Sequence, residues 1–202
     1  MKKLSTAVFG LLLLGLSLNS MAFSERQMSV NKTSPNSYFE VTVVDSGLLN
    51  GKYKGWCGDW ATTIGHDVLY DTRFYSSTSP TLPTGLVDHP ENLDLVNWIL
   101  NKNFVGKTAP GGLGVYTTGD VQLAMWTLLD DSFDSSTVGP FSQARVDLIV
   151  SEARQMGEGY IPKCKGVIGI ILDPVDQQTV IFEIKVKHFP KCSVPDDDSA
   201  LH

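Results

Sequence analysis

Strand-like and helix-like stretches are segregated along this chain, with β at both ends and helix between. Residues 38–45 (Tyr-Phe-Glu-Val-Thr-Val-Val-Asp) are rich in β-formers, residues 53–57 read as a second short strand, and residues 67–75 as a third. A Ser/Thr/Pro loop follows at 76–83. Then the period changes. Pro90 opens a helix whose Leu93, Val96, Ile99 and Leu100 share one face. Thr118 is placed to cap a second helix running to Asp130, with Val121, Met125, Leu128 and Leu129 as its stripe. Ser142 begins a third, with Val146, Ile149, Val150 and Ala153 inward and Gly157 as its stop. Residues 167–172 and 179–186 return to β around Asp173-Pro174-Val175-Asp176-Gln177 and predict an antiparallel hairpin. This order predicts an α+β fold, with a helical part at about 88–157 inside a domain spanning 38–192.

The ends read differently. Lys2 and Lys3 precede an apolar run at 7–18, and Asn19-Ser20-Met21-Ala22 offers a small-x-small cut after Ala22. That is the pattern of a cleaved secretory signal, and the run is short for a ~30 Å hydrocarbon core. The expectation is a secreted or periplasmic protein with no membrane span once residues 1–22 are removed. Residues 23–37 read as a flexible lead-in and 193–202 as a disordered acidic tail.

Without Lys2 and Lys3, the 16 basic residues fall to 14 against 22 acidic, a net charge of −8. An acidic surface without basic clusters predicts no binding of nucleic acid. The three cysteines are Cys57, Cys164 and Cys192. In an oxidising compartment Cys164 and Cys192, flanking the final hairpin, are the natural disulfide pair, although a symmetric register sets Cys164 opposite about residue 187. Cys57 is left over, so its sulfur is expected to be buried, bonded or functional.

Two segments carry chemistry. Cys57 lies in Gly55-Trp56-Cys57-Gly58-Asp59-Trp60 at a strand end, and Gln122 lies in Gln122-Leu123-Ala124-Met125-Trp126 in the first turn of the second helix. A helix start can lower a thiol's pKa and polarise a carbonyl. If the two side chains meet, the thiolate can attack the carboxamide and expel ammonia, leaving an internal thioester that an amine can open. Together with Val96-Asn97-Trp98-Ile99-Leu100-Asn101, these segments resemble the thioester domains of bacterial surface adhesins. The resemblance is close over 53–131 and looser over 160–186. It implies an antiparallel β-sandwich-like part with a small inserted helical subdomain. It also implies a Cys57–Gln122 cross-link and covalent capture of a protein or polyamine amine, typically a lysine's. No cofactor or metal is implied. Such adhesins carry stalks and a wall-sorting signal; this sequence ends at His202 without either, so the expectation is a free-standing, unanchored member. No proline follows Cys57, and Asp120-Val121 precedes Gln122 where the family has Thr or Ala.

Other readings stay open. Cys57 can be a small buried apolar side chain, or can pair with Cys164 or Cys192. Trp56, Trp60, Trp126 and Asp120 are candidates for a pocket that keeps water from the thioester, but tryptophans are more often core, as Trp98 is expected to be. A domain of the same fold can bind non-covalently or use the Cys–Gln pair only as a clamp. Cys57 with His66 and Asp67 or Asp59 can form the nucleophile set of a hydrolase or acyltransferase. The carboxylates Asp130, Asp131 and Asp134 read as helix capping and solvated loop. Gly111-Gly112-Leu113-Gly114 reads as a mobile flap and lacks the Lys-Ser/Thr of a nucleotide loop.

Overall fold

A computed structural model describes residues 26–32, 34 and 36–186. The expected signal at 1–22, the tail at 193–202 and the Cys192 end of the expected disulfide lie outside the described residues. Six strands appear in chain order: β1 (Arg26–Asn31), β2 (Phe39–Val44), β3 (Gly51–Cys57), β4 (Tyr70–Ser76), β5 (Val167–Pro174) and β6 (Val180–Lys185). Three helices fall between β4 and β5: α1 (Leu93–Lys102), α2 (Thr118–Leu129) and α3 (Gln143–Met156).

The strands form a closed antiparallel barrel in the order β1-β2-β3-β6-β5-β4. This corrects the sandwich-like expectation. The correction turns on β1, which the sequence reading placed in a loose lead-in. Its segment Arg-Gln-Met-Ser-Val-Asn carries only two apolar residues, too few for a pattern to stand out. Yet Met28 and Val30 point inward and are fully buried. β1 pairs with β2 on one side (Val30↔Val41) and with β4 on the other (Gln27↔Asp71), so the sheet meets itself instead of leaving two edges. On β2 the alternation is regular, with Phe39, Val41 and Val43 inward. Residues 168–172 of β5 are buried on both faces because helices cover the outer one. The β5–β6 hairpin forms as expected, from Val167↔Lys185 to Leu172↔Val180.

Each helix is tied to the barrel or to its neighbour by polar side chains. Asn97, fully buried in α1, accepts from the main-chain N–H of Gly169 (3.0 Å) and from the Ser77 hydroxyl (2.9 Å). One turn later Asn101 grips Val167 twice: its Nδ2 donates to the Val167 carbonyl (2.7 Å), and the Val167 N–H donates to its Oδ1 (2.9 Å). These amides take over where β4 stops. The β4–β5 register ends at Ser76↔Ile170, and past it only the Ser77 N–H follows, donating to the Gly169 carbonyl (3.0 Å), so the rest of that edge has no strand beside it.

α2 is capped by Thr117, one residue before the expected Thr118. Thr117 and Asp120 form a reciprocal capping box. Asp120, fully buried, also accepts from the Ser142 N–H (2.7 Å) and from Arg145 Nε (2.6 Å). Gly119 is required there: a Cβ at this position would stand 2.6 Å from the Pro140 carbonyl oxygen.

Candidate functional site

β3 runs out of partners at its end. Its pairing with β2 stops at Phe39↔Gly55, two residues short of Cys57, while β6 continues alongside with Cys57↔Val180. The main-chain N–H and C=O of Cys57 therefore face a side where no strand lies. Gln122 fills it. The Cys57 N–H donates to Gln122 Oε1 (2.9 Å), and Gln122 Nε2 donates to the Cys57 carbonyl (3.0 Å). Gln122 is 0% and Cys57 2% exposed, and the Cys57 thiol is free. The structure thus brings together the two residues singled out from sequence, across 65 positions.

Three details differ from expectation. Gln122 sits in the second turn of α2, and the helix N-terminus itself is occupied by the Thr117–Asp120 capping box. The donor polarising the Gln122 carbonyl is instead the main-chain N–H of the cysteine it faces. The Cys57 pKa is not lowered. Burial pushes it well above the usual thiol range, the carboxylates of Asp59 and Asp130 push the same way, and only a main-chain hydrogen bond opposes them. At neutral pH the sulfur is a protonated thiol, so any attack by it needs a proton acceptor.

The loop beyond Cys57 is held tightly. The Gly58 N–H donates to the Thr179 carbonyl (2.6 Å), and a Cβ on Gly58 would stand 2.8 Å from the Thr179 methyl. Asp59 then pins the turn: its Oδ2 accepts from the Thr179 N–H (2.6 Å), and its Oδ1 accepts from both the N–H and the hydroxyl of Thr62.

Trp56 and Cys57 leave β3 on opposite faces, as neighbours on a strand do. Trp56 is buried on the side of Ile99 and Leu100 of α1, and its Nε1 donates to Glu183 (2.9 Å). Trp126 is 2% exposed, and its Nε1 has no partner. Trp60 is half-buried beside Asp130, and Trp98 is core. Asp120 serves the α2–α3 junction through all the bonds given above and offers no free oxygen to a pocket.

Two neighbours of the thiol escaped the sequence reading. Tyr38, just before β2, has its pKa raised by burial and by the Cys57 thiolate, and its hydroxyl donates to the Thr137 carbonyl (3.0 Å). Nothing in its local sequence marks it. Asp130, expected to be a solvated cap, is half-buried and its pKa rises to about 7. Burial is the main cause, with Asp59 and Asp88 adding to it.

His66 joins neither nucleophile set. Among the described residues no hydrogen bond links it to Cys57, Asp59 or Asp67, and its buried Nδ1 has no partner. Asp67 instead accepts from Asn31 (3.0 Å). The glycine stretch after Pro110 is tied down by Arg145, whose Nη1 donates to the Leu113 carbonyl (3.0 Å). The expectation of no basic cluster also needs correction. Lys52 and Lys54 of β3, Lys165 just before β5 and Lys185 at the end of β6 line a groove of about 560 Å³ beside the Asn101–Val167 grip, together with Glu183. Among the described residues no group of His, Cys, Asp and Glu is arranged to hold a metal, and no helix is long and apolar enough to cross a membrane.

No protein-family model matches the sequence, and no curated protein does. Solved structures do resemble it in arrangement. The N-terminal domain of the Streptococcus pyogenes pilus tip adhesin Cpa aligns at 12% identity and TM-score 0.47, covering 83% of this chain and 96% of that one. The N-terminal thioester domain of a Clostridium perfringens surface protein aligns at 16% and 0.44, over 78% and 97%. The N-terminal thioester domain of fibronectin-binding protein SfbI from Streptococcus pyogenes aligns at 12% and 0.43, over 79% and 92%. By name, these three are two N-terminal thioester domains of bacterial proteins and the N-terminal domain of a pilus tip adhesin.

Proposed function

We propose that this is a thioester-type domain in which Cys57 and Gln122 join covalently and then capture one amine. The observation that carries the reading is the reciprocal hydrogen bonding of the Gln122 carboxamide with the main chain of Cys57, in a site that excludes water. The amide is held against the residue that bears the thiol, and its carbonyl oxygen already rests on an N–H donor. In the first step Sγ bonds to the Gln122 carbonyl carbon, the C–N bond breaks, and the thiol proton leaves with the nitrogen as ammonia. In the second an amine bonds to the same carbon, the C–S bond breaks, and the thiol re-forms. The product is an amide on Gln122, so each molecule acts once and is not an enzyme. Burial protects the acyl group from hydrolysis between the two steps. The fitting role is attachment to an amine-bearing surface outside the cytoplasm, with a lysine side chain or a polyamine as the nucleophile.

Intact mass tests this. Freshly purified protein should weigh about 17 Da less than its sequence, beyond any disulfide hydrogens, and methylamine should add to Gln122. Full mass and no adduct would remove the reading. A second reading has its own support in the Asn101–Val167 grip, which has the same two hydrogen bonds and no thiol. On that reading Gln122 only closes the end of β3, and the domain binds its partner non-covalently.

A further inference from the structure

We propose that Asp130 carries the proton for the chemistry of Cys57 and Gln122. It takes the thiol proton as the sulfur attacks and returns it to the departing nitrogen. In the capture step it relieves an incoming alkylammonium of one proton and passes that proton to the released sulfur, while the second proton shed by the nitrogen as the amide forms leaves to solvent. The inference rests on the thioester reading above.

Gln122, Trp126 and Asp130 are spaced four apart, so they share one face of α2 and its C-cap. Gln122 grips Cys57 at one end of that face, and the main-chain N–H of Trp60, three residues after Cys57, lies against the Asp130 carboxyl at the other. The face therefore runs along the segment that contains the thiol. Two polar atoms on it are buried with no partner, Trp126 Nε1 and Asp130 Oδ2. One is a donor and the other an acceptor, on adjacent turns. Buried polar atoms are normally satisfied. An unpaired donor and acceptor on the helix face that grips Cys57 suit a small group that both gives and accepts hydrogen bonds, which describes ammonia, an amine or one bridging water.

Charge agrees. Asp130 faces Asp59 on the β3–β4 connection, Asp88 before α1, its neighbour Asp131, and Cys57. All are acidic groups, and none of them is a cation. A carboxyl group near pH 7 is populated in both forms at neutral pH, as a proton carrier needs. The Cys57 thiol, held protonated by burial, is the group that needs such a partner.

The test compares wild type with Asp130→Asn and Asp130→Glu by intact mass and by the rate of methylamine capture across pH 5–9. Wild type should show the ammonia deficit and a capture rate that rises through an inflection near pH 7. Asp130→Asn should capture about 10²-fold more slowly and lose that inflection, while Asp130→Glu or added formate restores part of the rate. Hydroxylamine, neutral at pH 7, should be far less affected than methylamine. Wild type at full mass takes down the thioester reading, and this inference with it. A thioester in wild type, with Asp130→Asn keeping the wild-type rate and pH profile, overturns the role of Asp130 alone. A slow Asp130→Asn that neither Glu nor formate rescues also overturns it, because a purely structural part would behave that way.

Discussion

Two helices of this molecule finish two strands by the same device. Asn101 of α1 grips Val167, and Gln122 of α2 grips Cys57, each through one donated and one accepted hydrogen bond to a single residue's main chain. Each does so where a neighbouring strand has stopped short. They differ in what the gripped residue carries and in how wet the place is. Val167 is aliphatic and half-buried at a groove, whereas Cys57 bears a thiol and is sealed. The lesson is that the bonding pattern alone implies no chemistry. A carboxamide held against main chain is an ordinary structural closure until the held residue is a nucleophile and water is kept out.

The comparison breaks most sharply at sulfur. Cys57→Ala should restore the full sequence mass and abolish methylamine capture, while Val167→Ala should leave both the ammonia deficit and capture in place; intact mass reads both. Next comes removal of the grips themselves. Gln122→Ala strands an N–H and a C=O in a water-free interior and should cost about 3–5 kcal/mol in urea unfolding. Asn101→Ala should cost only about 1 kcal/mol, since water can reach the groove. Equal losses would erase the distinction drawn from burial.

A smaller effect separates the two surroundings by pH. The Asp130 pKa is raised in the folded protein from 3.8 to about 7. Its protonated form is therefore favoured by folding: the contribution is complete below about pH 4 and is lost as pH rises through 7. Because the group is only partly buried and its charge is screened by solvent, the loss should be roughly 1–2 kcal/mol. Melting temperatures from pH 4 to 8 should show this decline in wild type and a flatter profile in Asp130→Asn. The smallest expected effect is none. Val167→Cys puts a thiol into the open grip, and its mass should show no additional ammonia loss. A deficit there would mean that geometry suffices without burial.

The segregated order of strands and helices was legible because periodicity is local: the stripes of α1 and α3 and the β5–β6 hairpin fall where the pattern puts them. The meeting of Cys57 with Gln122 was also legible, through a leftover cysteine and a motif helix. Barrel closure was not. It depends on β1 reaching β4, a pairing between residues more than forty positions apart whose β1 member carries two apolar side chains. Nor was the acidity of Asp130 or the raised pKa of the thiol. Both are set by burial and by carboxylates from distant segments, and a helix-end aspartate looks the same in sequence whether it faces water or a thiol. The lysine groove was hidden for a like reason, since Lys165 and Lys185 lie more than a hundred positions from the Lys52–Lys54 pair of β3.

The buried Asp120 hub has a mechanical corollary. A partner attached through Gln122 would pull on α2 two residues from the carboxylate that binds Thr117, Ser142 and Arg145. Tension entering there passes at once into α3 and the chain before it, so the helix carrying the tether is braced close to its point of loading.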